Sequence, residues 1–459
     1  MDTTQVNSEA LNKPITAWYL LKFSLPTIIG MAGMGVFGVI DGVFAARYID
    51  AYALSAVGLV MPFLMFSLAI GMMLGVGGNA LVAKLVGEGQ LTYARQDFTL
   101  VSMVSLLASV GFTALGWLLP DLTLNILGVN ADVYHLAYEY FMTLLPFMPI
   151  AAMGIIFQQF MMTEGKAHIG MMATLGSGLL GVYLNYLFIY QLHWGLRGAA
   201  ISTGLAYFIP GIVGFGFFLF NQKGTLYFVL PKLRWDVIWQ SSVNGVSEMI
   251  TMVSASITGI LMNNVLMDLD GAMAVAAVGV ASAVMGLVAN SFIGFSSGIM
   301  PIIAYNYGKG DTSALKKLFS ISLFLNAAMA LVSAVAVFMF TDFFIGIYDI
   351  DPLMYFDGFI IELPVYAMSF DAIRLMTISY VFMALNTFIS IWFTSLNDGV
   401  RSGIIAFLKG FIFDIAFIYL LANMWGVNGV FLMTAATQVA TFIVSIFFAF
   451  RYRKVYNYA

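Results

Sequence analysis

Apolar residues run along this chain in long, nearly uninterrupted stretches, not in the single stripe of a helix that turns one face to water. Polar and charged residues gather in short breaks with Gly, Pro and Asn. Cutting at these breaks leaves twelve segments, approximately 18–46, 53–86, 98–119, 134–163, 169–192, 195–220, 237–267, 272–307, 318–341, 372–395, 402–423 and 427–450. Each can cross a hydrocarbon core, which takes about 20 apolar residues. Backbone groups in lipid must be bonded within the segment, so the segments are helices. Strands of a membrane barrel would alternate over about 10 residues instead. The predicted fold class is an all-α polytopic membrane protein with twelve transmembrane helices.

Composition narrows the function classes. Of 459 residues, 61% are hydrophobic and 9% charged, against about 25% charged in soluble proteins. That excludes a soluble enzyme, a nucleic-acid binder and a disordered chain. The absence of Cys excludes disulfides, thiolate metal sites and Cys nucleophiles. His135, His168 and His193 lie near three different segment ends, with no metal-ligand spacing between them. No cleavable signal peptide is expected, because the polar start is followed by no cleavage pattern.

The placement of the basic residues orients the chain. One side of the predicted membrane holds Lys13, Lys84, Arg95, Lys166, Lys223, Lys232, Arg234, Lys309, Lys316, Lys317, Arg401, Arg451, Arg453 and Lys454. The other holds only Arg47, Arg197 and Arg374. The positive-inside rule places both termini in the cytoplasm of a cell inner (plasma) membrane protein. The outer loop 342–371 is acidic.

Two halves repeat. Ala56-Val57-Gly58 returns as Ala277-Val278-Gly279, and Gly77, Gly87 and Gly89 return as Gly298, Gly308 and Gly310, all at an offset of 221. Trp194-Gly195-x-x-Gly198 with Thr203 returns as Trp425-Gly426-x-x-Gly429 with Thr434, at an offset of 231. The expected organisation is an N-terminal segment 1–17, an N-lobe 18–220 (helices 1–6), a linker 221–236, a C-lobe 237–450 (helices 7–12) and a tail 451–459. Six is even, so the two homologous lobes share one orientation and a pseudo-twofold along the membrane normal.

Catalytic machinery is not expected, and the protein is read as not an enzyme. Gly294-Phe295-Ser296-Ser297-Gly298 matches G-x-S-x-G, but it falls inside an apolar helix rather than at a strand-to-helix turn. Close small residues there serve helix packing. No ATPase loop is present, so transport would draw on a gradient.

Ionisable residues at membrane depth are costly and mark function. Four acids fall within predicted helices: Asp41, Glu139, Glu248 and Asp414. Asp41, flanked by Gly38 and Gly42, and Glu248, in helix 7, are the coupling candidates. A single buried carboxyl exchanges a proton or a cation, because burial and a bound cation move its pKa in opposite directions. Asp414 and Lys409 on helix 11 are read as supporting residues. Glu139 is read as interfacial. No metal site is assigned.

These residues resemble those of the multidrug and toxic compound extrusion (MATE) transporters, over about 15–450 and closest to a bacterial multidrug branch. Ile40-Asp41-Gly42-Val43-Phe44 resembles that family's helix 1 segment. Gly195 to Thr203 resembles G-x-x-G-A-A-I-[AS]-T, Asn244 to Met249 resembles N-G-x-S-E-M, and Phe393 to Gly399 resembles F-T-[AS]-L-N-[ND]-G. The resemblance implies two lobes around a central cavity that opens alternately to either side, with export of organic cations or other amphiphiles against entering H⁺ or Na⁺. It implies coupling roles for Asp41 and Glu248, and an N-lobe polar cluster of Gln159, Asn185 and Thr203. The chain departs from the family on helix 5, where N-x-x-x-D reads Gly181 and Asn185, so one N-lobe acid is an amide. It departs on helix 4, where L-R-A-E-G reads Met161-Met162-Thr163-Glu164-Gly165. Losing one carboxylate weakens an N-lobe Na⁺ site, because a hard cation wants several oxygens, and favours H⁺. No cofactor is expected beyond the coupling ion. The expected partners are small organic cations or amphiphiles and membrane lipid, with no nucleic acid, and a monomer. The alternative is a flippase for a lipid-linked precursor on a related two-lobed fold. It would need a cationic cavity, whereas Lys22 and Lys409 are the only basic residues within helices.

Overall fold

Helix length and backbone breaks count the spans. The computed structural model describes residues 11–48, 51–348, 353–356, 359–362 and 364–458, with side chains at 11–37, 55–131, 133–271, 273–348 and 364–458. The first half gives α1 (Ala17–Tyr48), α2 (Ala51–Gly87) and α3 (Leu91–Leu118). It continues with α4 (Val133–Thr163), α5 (Ala167–Gln191) and α6 (Gly195–Phe220). The second half opens with α7 (Trp235–Gly271) and α8 (Met273–Lys309), separated by non-helical backbone at Asp270 and at Gly271 (φ 70°). Next come α9 (Thr312–Met339) and α10, a bent pair of Pro364–Thr377 and Tyr380–Ser395 meeting at 47°.

A helical stretch of 54 residues, Gly399–Tyr452, closes the chain. Straight, it would measure about 80 Å at 1.5 Å per residue, against a core of about 30 Å. Gly426 (φ 59°) breaks it, giving α11 (399–425) and α12 (427–452). Only glycine adopts such a conformation without a Cβ penalty. Among the described residues the total is twelve spans, as the hydropathy predicts. Two details differ from the expectation. The acidic segment 342–371 is not all loop: it holds a short helix, Thr341–Gly346, and an antiparallel hairpin of β1 (Leu353–Phe356) and β2 (Phe359–Glu362), with Leu353 opposite Glu362. The first part of α10 also begins inside it, at Pro364, and takes in Asp371.

The repeat is visible as packing. A Cβ at Gly87 would strike the Tyr305 carbonyl oxygen, and one at Gly308 would strike that of Lys84. Each contact is the other shifted by 221 residues. Gly77 likewise meets Ser241, and its repeat partner Gly298 meets Ser24. These reciprocal pairs straddle the pseudo-twofold axis. Apolar side chains gain little by moving from lipid to protein, so close backbone approach at small residues does much of the joining. Gly294 and Gly298, the ends of the G-x-S-x-G match, pack on Ile28 and Ser24 of α1; the motif is helix-packing surface.

The core divides unevenly. Near the basic side, one buried cluster runs through both lobes, from Leu81, Phe98 and Phe160 to Ile303, Leu396 and Trp392. Towards the opposite side the lobes keep separate clusters, one around Val60, Phe141 and Ala200 and one around Val278, Ile373 and Phe431. There the reciprocal glycines Gly58 and Gly279 have open space where a Cβ would stand.

The linker is stitched to the N-lobe. Glu164 accepts hydrogen bonds from the Asn221 side chain (3.1 Å) and from the backbone N–H groups of Thr225 and Leu226 (both 2.9 Å). Burial pushes its carboxyl pKa above the usual range, while those donors pull it back. Arg95 donates to the Thr225 carbonyl (2.9 Å) and covers the Tyr227 ring at 4.2 Å. Phe228 sits among Phe98, Phe157, Phe215 and Phe218, 5.2 Å from Phe98.

Candidate functional site: a charged cavity in the C-lobe

Helix α7 builds the first wall. Glu248, Thr251, Ala255, Thr258, Gly259 and Met262 recur at helical spacing and line one cavity of ≈380 Å³. Helix α11 builds the facing wall. Gly410 lets it approach α7 so closely that a Cβ there would strike the Ser254 hydroxyl. At that level α11 forms a π-helical turn, Leu408–Phe413, and Asp414 follows directly. The wider turn changes the direction in which successive side chains leave the helix, a distortion frequent at functional sites. It brings both Lys409 and Asp414 onto the cavity that holds Glu248.

The three charged residues are partly buried, and Lys409 is close enough to act electrostatically on both carboxylates. Among the described residues no ion pair within 4.0 Å joins them. Thr258 donates to Asp414 at 3.4 Å. Helices α10 and α12 supply the neutral side: Asn386 donates from its amide nitrogen to the Gln438 carbonyl (2.8 Å) and side-chain oxygen (2.9 Å). The side-chain oxygen of Asn386 is buried without a protein partner, and Thr387, Ser390 and Thr434 add hydroxyls. The cavity thus offers carboxylate, amide and hydroxyl oxygens around one ammonium.

The N-lobe holds a smaller pocket of ≈100 Å³, lined by Asn185, Ser202, Thr203, Gln158, Thr174 and Ser177 with apolar Met34, Phe37 and Pro210. Ser202 donates to the Asn185 side-chain oxygen, and Asn185 stands at the start of a second π-helical turn, Tyr186–Gln191. Asn185 and Thr203 therefore line one pocket. Gln159 does not join them: it is fully buried against Gly75 on α2, and its neighbour Gln158 faces the pocket. The residues are one apart on a helix, so they point about 100° apart. Asp41 lies on α1, and its side chain is outside the described residues. Glu139 pairs with Arg197 at 2.6 Å.

A third polar unit joins two of the sequence motifs. Asn244 donates to the Thr394 carbonyl (2.9 Å), to the Asn397 side chain (3.2 Å) and to the Gly77 carbonyl across the lobes (3.4 Å). Next to it, Asp398 accepts from Arg401 (2.8 Å) and from the Tyr456 hydroxyl (2.6 Å). Asn244 and Asp398 fall in two of the motifs that carry the family resemblance; the part played by Tyr456 in the tail carried no signal in the sequence.

The helical fold agrees with the comparisons. The family profile MatE matches residues 26–187 and 248–420, and the chain belongs to that family of multidrug efflux transporters, which are not enzymes. It is 23% identical over 447 residues to the multidrug export protein MepA of Staphylococcus haemolyticus (strain JCSC1435), covering 95% of this chain and 94% of that one. It is 22% identical over 421 residues to MepA of Staphylococcus aureus (strain N315), covering 90% and 88%. Two solved structures share the fold at 19% identity. One is a MATE protein in complex with MaL6, with a TM-score of 0.90 and coverage of 99% and 100%. The other is an outward-facing multidrug resistance MATE family transporter of the MOP superfamily, with a TM-score of 0.89 and full coverage of both chains. The protein is a multi-pass membrane protein with the twelve-helix, two-lobe architecture.

Proposed function

We propose that the chain exports organic cations or amphiphilic molecules by alternating access, driven by protons entering the cell. The observation that carries this reading is Glu248, a carboxyl at membrane depth on a cavity large enough to admit water and solute. An acid there binds a proton when its cavity is exposed to one side and releases it when exposed to the other. The multidrug export relatives support the substrate class. Asp41 is the second candidate carboxyl, on the N-lobe side.

The lobes join at the basic side and keep separate cores at the other. With the basic side in the cytoplasm of the plasma membrane, this is an outward-facing state. A proton taken up by Glu248 removes one charge from the cavity; the lobes then rock apart at the cytoplasmic seam, and arriving substrate competes for the carboxylate as the proton leaves. A coupled site must make that exchange, because a ligand shifts a conformational equilibrium only by its differential affinity for the two states. The reading is tested in everted vesicles with fluorescent organic-cation efflux. A pH gradient alone is expected to drive transport, and a sodium gradient with the pH gradient collapsed is expected not to. Transport driven by sodium alone would reassign the coupling ion, and no transport under either gradient would reject the exporter.

A further inference from the structure

Lys409 has no part in the scheme above, yet it stands in the cavity that scheme uses. Its ammonium shares the ≈380 Å³ space with Glu248 and Asp414. The surroundings are otherwise those of a cation site: two carboxylates, the amide oxygens of Asn386 and Gln438, and the hydroxyls of Thr258 and Thr434. A hard metal ion selects this kind of oxygen set. An ammonium on a four-carbon stem supplies the same single positive charge without leaving the protein.

We infer that Lys409 is a tethered cation that occupies the electrostatic place of a sodium ion, and so makes the C-lobe site selective for protons. With both acids ionised, the cavity carries one net negative charge, which a single proton neutralises. Without Lys409 it would carry two, and a proton together with a metal ion would be favoured. The charged groups facing Lys409 are Glu248 from α7 and Asp414 from its own helix. The walls from α8, α10 and α12 contribute no titratable side chain among the described residues. The π-helical turn contains Lys409, and its side chain lines the same cavity as the two acids. This inference deepens the proposed proton coupling and rests on it.

The test is equilibrium binding of radioactive sodium to the purified full chain in detergent, with thermal unfolding recorded over a sodium series. Wild type is expected to show no saturable binding and no sodium-dependent shift. Lys409→Met is expected to gain saturable binding, lost again in Lys409→Met/Glu248→Gln. Lys409→Arg, which keeps the charge, is expected to remain sodium-blind. Saturable binding by wild type that Glu248→Gln abolishes would overturn the inference, even if the Met variant did not fold. So would a folded Lys409→Met that binds no sodium. Failure of vesicle transport in wild type would reject the exporter reading, whereas these binding results bear on Lys409 alone.

Discussion

Among the described side chains the two lobes share a scaffold but not a chemistry. In the N-lobe pocket the described side chains are neutral: Asn185 and Ser202 satisfy each other, and Thr203 and Gln158 add polarity in ≈100 Å³. The C-lobe cavity holds Glu248, Lys409 and Asp414 in ≈380 Å³. The reciprocal contacts locate the asymmetry. Ser24 and Ser241 occupy matching places against Gly298 and Gly77, which sets α1 and α7 in register at an offset of 217. Met31 is then the N-lobe counterpart of Glu248. Duplication preserved the seam glycines, which both lobes need for backbone approach, and left the cavity side chains free to diverge.

Replacing the C-lobe acid should have the largest effect. Glu248→Gln is expected to keep the fold, since the amide has the same shape and size, and to reduce gradient-driven efflux in vesicles to background. A leucine at Gly87 or Gly308 should come next. Either collides with backbone of the opposite lobe, and the reciprocal geometry predicts the same outcome for both. The basic-side seam opens, and the distance between spin labels at Gln90→Cys and Ser313→Cys lengthens. The chain has no native Cys to confuse the labelling. A strong effect from one glycine alone would break the claimed symmetry.

The N-lobe pocket should matter less. Asn185→Ala removes one acceptor of the Ser202 hydroxyl, which keeps the Ala199 carbonyl at 3.0 Å, and is expected to cost about 0.5–1.5 kcal/mol of stability, read by thermal unfolding, with efflux retained. Glu164→Ala should cost about 2 kcal/mol through lost charge-assisted hydrogen bonds and expose the linker to proteolysis. Glu164 also predicts a pH trend. Burial raises its carboxyl pKa, so the native state binds the proton more tightly than the unfolded one. Its contribution is full below the ordinary carboxylate range and falls as pH rises through the raised value. Glu164→Gln should flatten that slope.

Much of the architecture was legible in the chain because lipid imposes a simple rule on segment length and charge. The twelve spans and the repeat followed from apolar runs and paired glycines, and depth sorting brought Glu248, Asp414 and Lys409 forward as the C-lobe candidates. Their convergence on one cavity was not legible, because it depends on a π-helical turn for which hydropathy has no signature. Gln159 shows a second gap: a motif places a residue to within one position, and one position rotates a helical side chain onto another neighbour. The docking of the linker by Glu164 arises from tertiary hydrogen bonds, and no local pattern announces those.

Proton release on substrate binding tests the central claim most directly. Purified protein in weakly buffered detergent is mixed with an organic-cation substrate while a pH dye is followed. Wild type and Asn185→Ala should release protons, with Glu248→Gln silent although it still binds substrate. Equal release from Glu248→Gln and wild type would contradict the assignment of coupling to the C-lobe cavity.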